Sequence, residues 1–138
     1  MAKQLNDLEL SIIAPKFDNS DNKIKPDMVK PTAEKLSEEF GGVSIEPSVL
    51  GCWKPEDGEL MCEENMEIST SLDTENSDSP SRAEAERIVE RQAEKIGDEL
   101  GQAAVMTSES KEEVSFQDGE YKDKLNEKKL EDVFNRVL

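Results

Sequence analysis

Residues 40–62 read FGGVSIEPSVLGCWKPEDGELMC. Within this stretch a very acidic chain gathers a pair of glycines, its only Trp and both of its cysteines. One reading accommodates them all: a helix end followed by a β-hairpin. Gly41 stands where a left-handed helix cap is wanted, because an L side chain avoids positive φ. Gly42 then releases the chain into a strand. Val43, Ile45, Val49 and Trp53 fall at odd positions, and Leu60, Cys62, Met66, Ile68 and Leu72 at even ones, on either side of the turn Lys54-Pro55-Glu56-Asp57-Gly58-Glu59. A period of two is the mark of strands that bury one face.

Two registers compete for this hairpin. A loop of Glu56 to Gly58 sets odd residues opposite odd ones and splits the apolar residues between the two faces. A loop of Pro55 to Gly58 sets Trp53 opposite Leu60 and Ile45 opposite Ile68, and collects every apolar residue on one side. Since a one-residue slip exposes a whole set, the second register is expected. Pro at the first loop position and Gly at a last position with positive φ agree with it. It places Trp53 in the core and Cys62 there as a small buried hydrophobe. Cys52 falls on the opposite face, so a disulfide is geometrically poor and two free thiols are expected.

Working outward, Leu8, Leu10, Ile12 and Ala14 alternate with Glu9, Ser11 and Ile13 and predict a first strand, ended by Pro15 and the polar run Asp18 to Asn22. Pro26 opens a helix whose apolar residues are Met28, Val29, Ala33, Leu36 and Phe40, with Pro31 expected in its first turn or at its true start. Residues 73–81, DTENSDSPS, form a polar linker. Ser81 and Glu84 make a candidate capping box, with Ser79-Pro80 as a rival start, for a second helix carrying Ala85, Ile88, Val89, Ala93, Ile96 and Leu100, with Gly101 as its cap. A fourth strand is expected over 103–108, with Val114 and Phe116 as a possible short one. A C-terminal amphipathic helix is expected from Tyr121 to Val137.

The order β-α-β-β-α-β is the split βαβ, ferredoxin-like plan, an α+β fold with an antiparallel sheet of strand order 4-1-3-2. The expected division is a ferredoxin-like domain over 1–110 and a C-terminal extension with its helix over 111–138. Pro47 suits the edge position that this order gives the second strand. Phe40-Gly41-Gly42, then Gly51-x-Trp53, then Leu100-Gly101-Gln102-x-x-Val105 resemble a group of small α+β, ferredoxin-like proteins with no established chemistry. The resemblance spans roughly residues 8–108. It implies the fold and carries over no active site.

The formal net charge of -16 repels phosphate backbones and anionic headgroups. It favours cations, basic protein surfaces or simple solubility. No apolar run is long enough to span a bilayer, and the N-terminus lacks a continuous apolar leader, so the expected location is cytoplasmic. The chain contains no His, which removes His-based triads, most zinc sites and haem ligation by His. Two cysteines outside a CxxC spacing make no redox or metal motif. The run beginning at Asp18 starts like a calcium loop, but Lys23 and Val29 occupy the positions that require Gly and a bidentate Glu.

No cofactor is therefore expected, and an enzyme is not. The uncovered sheet face should carry Glu9, Ser11, Glu46, Glu63, Asn65 and Glu67. Carboxylates in place of stacking aromatics argue against RNA. The expected contact surface for a protein partner or a second copy comprises Glu9, Glu46, Glu63 and Glu67, with Tyr121, Leu125, Leu130 and Phe134 of the terminal helix. Lys122, Lys124, Lys128 and Lys129 would let that helix dock on the acidic sheet, in its own chain or, in a homodimer, in its neighbour's. Alternatives are a metal-dependent small enzyme or binder on the acidic face, and an acidic, nucleic-acid-mimicking inhibitor of a basic protein. Free DNA or RNA is expected to give no mobility shift with micromolar protein at physiological salt; a shifted band would contradict the charge argument.

Overall fold

A computed structural model describes residues 4–18, 20, 22–101, 106–116 and 129–137, with the backbone alone at 4, 5, 106 and 112–116. Along the chain run β1 (Gln4–Pro15), α1 (Pro26–Phe40), β2 (Ser44–Trp53), β3 (Met61–Leu72), α2 (Arg82–Leu100), β4 (Met106–Phe116) and α3 (Leu130–Val137). The fold is α+β. Its four strands form one sheet in the order β2-β3-β1-β4, with antiparallel pairing between all neighbours. β1, the most apolar strand, lies inside the sheet, and β2 with its Pro47 lies at an edge.

The core follows from alternation. Leu8 pairs with Leu72, Ile12 with Ile68 and Ala14 with Met66, so the even residues of β1 and β3 share one face. They join Val29 and Leu36 of α1 and Ala85, Val89, Ala93, Ile96 and Leu100 of α2 in a single buried cluster. Ile12 and Ile68 are wholly shielded from solvent. Between the helices, the Thr32 hydroxyl donates to Gln92 Oε1 at 3.2 Å, satisfying two buried polar side chains.

The helix ends follow from their caps. Gly41 has φ 88° and its N–H donates to the Ser37 carbonyl at 2.8 Å. At the start of α2, Ser81 accepts from the Glu84 N–H, and its hydroxyl donates back to the Glu84 carboxylate. Gly101 closes the helix at φ 65°. Pro31 departs from expectation: it lies inside α1 beyond the first turn. It is exposed there, and removes only the N–H that would have reached the Asp27 carbonyl. Asp7 ties β1 to the turn after β3. Its carboxylate accepts from the Thr74 hydroxyl at 2.5 Å and the Thr74 N–H at 2.8 Å, and these bonds hold its pKa below the ordinary value.

The C-terminal half differs from the sequence reading. β4 runs to Phe116 rather than ending near 108, and its pairing with β1 carries an irregularity between Asn6 and Leu8. Residues 102–105, and with them Gln102 and Val105, lie outside the described residues, as do Tyr121, Leu125, Lys122, Lys124 and Lys128. The described part of the terminal helix, α3, packs in the helical layer and not on the sheet's uncovered face. Phe134 is buried in the core with Leu130 beside it, and Lys30 pairs with Glu131 at 2.8 Å. Phe134 is thus spent inside its own chain as a core residue, which corrects its place in the expected contact surface, while Leu130 is half-buried against that core.

The largest departure is in β2. Ile45 faces Ile68 as expected, and Glu46 faces Glu67. A bulge at Pro47–Ser48 then shifts the register, so that Val49 faces Asn65, Cys52 faces Cys62 and Trp53 faces Met61. Leu60 lies outside the strand. Trp53 is half exposed and no part of the core. The turn does use Pro55 and Gly58, whose N–H donates to the Pro55 carbonyl at 3.2 Å. Gly58 is not among the glycines with positive φ. Ile68→Ala should therefore cost about 2–5 kcal/mol in urea unfolding, the range for deep aliphatic truncations. Trp53→Ala should cost under about 1 kcal/mol, as surface changes do. Equal losses would refute this placement of the Trp.

Candidate functional site

The bulge decides what the sheet displays. Even residues of β3 point to the helices, so Asn65, Glu63 and Met61 point to the face without them. Through the shifted register, Val49, Gly51 and Trp53 of β2 join that face. Before the bulge, Glu46 lies there opposite Glu67. Asn65 is buried although no helix covers it, because its side chain lies across Gly51. A Cβ on Gly51 would stand 2.8 Å from Asn65 Nδ2, so this position in the Gly-x-Trp motif serves close approach.

β1 ends at Pro15, which pairs with Asn65. The part of the β2–β3 hairpin beyond that pair therefore has no third strand beside it and forms an arm. Its large apolar side chains face solvent: Leu50 is 66% exposed, Trp53 50%, Leu60 64% and Met61 49%. At its root Glu64 accepts from Lys16 Nζ at 3.1 Å and from the Ser48 hydroxyl at 3.2 Å. The Lys16 ammonium, first by hydrogen bond and then by charge, holds the Glu64 pKa low. Further out, Cys52 and Cys62 form a disulfide across the pair, with Cα atoms 4.0 Å apart. This overturns the expectation of two free thiols on opposite faces. The shifted register puts both on one face, and both are exposed rather than buried. Pro47, read only as an edge residue, was the signal for the bulge.

The remaining expected site residues separate. Glu9 is drawn toward Ser11, whose hydroxyl donates to it at 3.3 Å. Glu46, Glu63 and Glu67 stand on the uncovered face close to the arm. Among the described residues no three acidic or thiol side chains gather as a metal-ligand set. The Asp18 run is a turn: Asp18 Oδ1 accepts from the N–H groups of Ser20 and Asn22. Where β2 begins, the Gly41-Gly42 turn borders a cleft of about 560 Å³, lined also by Phe40, Glu9, Ser69 and Ser71. No described helix is long and apolar enough to cross a membrane.

No family model matches the chain, and no curated protein matches it in sequence. Solved structures do match in shape. A phage SAM lyase in complex with S-methyl-5'-thioadenosine is 12% identical, with a TM-score of 0.55 over 82% of this chain and 91% of the other. A phage SAM lyase in its apo state is 14% identical, with a TM-score of 0.55 over 85% and 94%. The GlnK–ATP complex of B. subtilis is 12% identical, with a TM-score of 0.47 over 77% and 81%. At such identities the likeness to the lyases is one of fold.

The disulfide is the main restraint on an arm that has no core beneath it, since an isolated two-stranded hairpin is marginal in water. Reduction with a dithiol should speed amide exchange at residues 50–53 and 61–64, read by hydrogen-exchange mass spectrometry. Exchange at Ile12 and Ile68 should stay unchanged. Uniform acceleration through the core would show that the arm is not an independent unit.

Proposed function

We propose that this chain is a ferredoxin-like split βαβ domain that works as a small acidic, non-enzymatic protein-interaction or assembly protein, and that the arm is its contact surface. The strand order, with α1 and α2 joining parallel, non-adjacent strands, supports the fold name. The observation that carries the function is the grouping of Leu50, Trp53, Leu60 and Met61 in solvent on one projecting hairpin. Single exposed apolar residues are ordinary, but Trp53 and Met61 stand opposite each other on one face with carboxylates around them, as contact surfaces do, while Leu50, opposite Glu64, adds apolar area on the other face. The partner is another protein or a second copy of this chain. Nucleic acid and membrane are disfavoured by the charge. We place the protein in the cytoplasm, where cellular thiols would tend to open the exposed Cys52–Cys62 bond.

A second reading, a small enzyme or small-molecule binder, is favoured by one observation, the cleft at the Gly41-Gly42 turn. Its volume is within the range of ligand pockets. One structure of similar shape holds S-methyl-5'-thioadenosine, but shape alone transfers no chemistry. The acidic face is a weaker basis for a metal-dependent enzyme, because its carboxylates do not converge.

The first reading is tested by a photoreactive amino acid placed at Trp53 or, as a control, at exposed Glu94 of α2, with light scattering alongside. Crosslinks from position 53 and none from 94 are expected, to another protein or to a second copy. Equal yields from both positions, or none from either, would remove the arm as a contact surface.

A further inference from the structure

Glu46 and Glu67 lie directly opposite each other on the uncovered face, and Glu63 lies further along the same side of β3. Like charges facing across a sheet are destabilising. Some carboxylates of the chain do have a cation beside them: Glu64 has Lys16, Glu131 has Lys30, Glu39 has Lys35, and Glu86 and Glu109 share Arg82. Among the described residues the side chains of Glu46, Glu63 and Glu67 have no such partner. The same face continues into Val49, Trp53 and Met61. One surface therefore combines unneutralised negative charge with solvent-facing apolar area. Turn residues Glu56, Asp57 and Glu59 add to the charge, and Lys54 is the one cation on the arm.

We infer that this face binds a basic, partly apolar segment of another protein, whose Lys or Arg side chains meet Glu46, Glu63 and Glu67 while an apolar side chain packs between Trp53 and Met61. The inference rests on the reading of the arm as a contact surface and adds the chemistry of the partner. Charge selects this occupant. A second copy would bring -16 against -16 and set these carboxylates against others. A nucleic acid would be repelled outright. Docking on the face also fits the edge geometry. Pro47 has no N–H, and the bulge breaks the ladder, so the outer edge of β2 offers no continuous template for an added strand.

Trp53 is the only Trp and stands in the face, so its emission reports occupancy directly. The oxidised, full-length protein is titrated with a short synthetic peptide of alternating arginine and leucine. Controls are an arginine–serine peptide and a glutamate–leucine peptide. A saturable blue shift with the arginine–leucine peptide alone is expected, weakening as salt rises. The double variant Glu46→Gln/Glu67→Gln, checked for folding by circular dichroism, should bind it about three- to tenfold more weakly, the scale of two exposed ion pairs. No shift, an equal shift with the glutamate–leucine peptide, or unchanged affinity in the variant would overturn the inference. An emission change that depends on protein concentration alone, and is lost in Met61→Ser, would assign the face to a second copy. That outcome refutes the basic partner while leaving the arm as a contact surface. A silent titration together with absent crosslinks from position 53 would sink both.

Discussion

The structure turns on a bulge in an edge strand. At Pro47–Ser48, a place where a proline is tolerated, β2 sets two residues against one of β3. The residue gained there shifts every later pair by one. Val43 and Ile45 stay with the core cluster, whereas Val49 and Trp53 move to the uncovered face. The same shift brings Cys52 opposite Cys62. Without the bulge, the Trp would face the helices and the cysteines would point apart. The arm, its apolar display and its disulfide are consequences of one backbone irregularity.

The molecule thereby separates into parts with different sources of stability. The body is held by burial: the even residues of β1 and β3 and one stripe from each long helix exclude water together. The arm projects past the end of β1 and rests on no core. It is held by the ladder, the cystine and the Lys16–Glu64–Ser48 contacts at its root. Such a division allows the arm to carry apolar side chains at little cost to the body, because their removal leaves no cavity. It also lets local order in the arm vary while the core stays intact.

Charge is distributed along the same division. Ion pairs at the helices and at the arm's root neutralise part of the acidity, and the pairs at Lys30–Glu131 and Arg82–Glu109 join elements distant in sequence. These contacts are exposed and contribute little each. Among the described residues they leave Glu46, Glu63 and Glu67, beside the apolar arm, without a cation partner. A surface of that kind repels polyanions and selects against its own kind more than it strengthens the fold.

Much of the fold was legible in the sequence because it is written in short-range rules. Alternation at Leu8 to Ala14 and Met66 to Leu72, the helical stripe of α2, the Ser81–Glu84 box and the caps at Gly41 and Gly101 each depend on neighbours a few residues away. Edge placement of β2 followed from the same proline at which its register breaks. The proposed contact surface was only partly legible. Glu46, Glu63 and Glu67 were placed on the uncovered face by parity, but Trp53, Met61 and the cystine were not, since parity holds only while a ladder is unbroken. Pro47 announces a break without saying how the two strands will absorb it. Nor does an apolar stripe name the layer it enters: Phe134 packs into the core from the helical layer, beside α1. The sequence by itself determined the elements, their order and the buried face of the sheet, all local matters of periodicity and capping. Only the tertiary structure decided the register beyond the bulge and the reach of the hairpin past β1, because both depend on how strands distant in the chain accommodate one another.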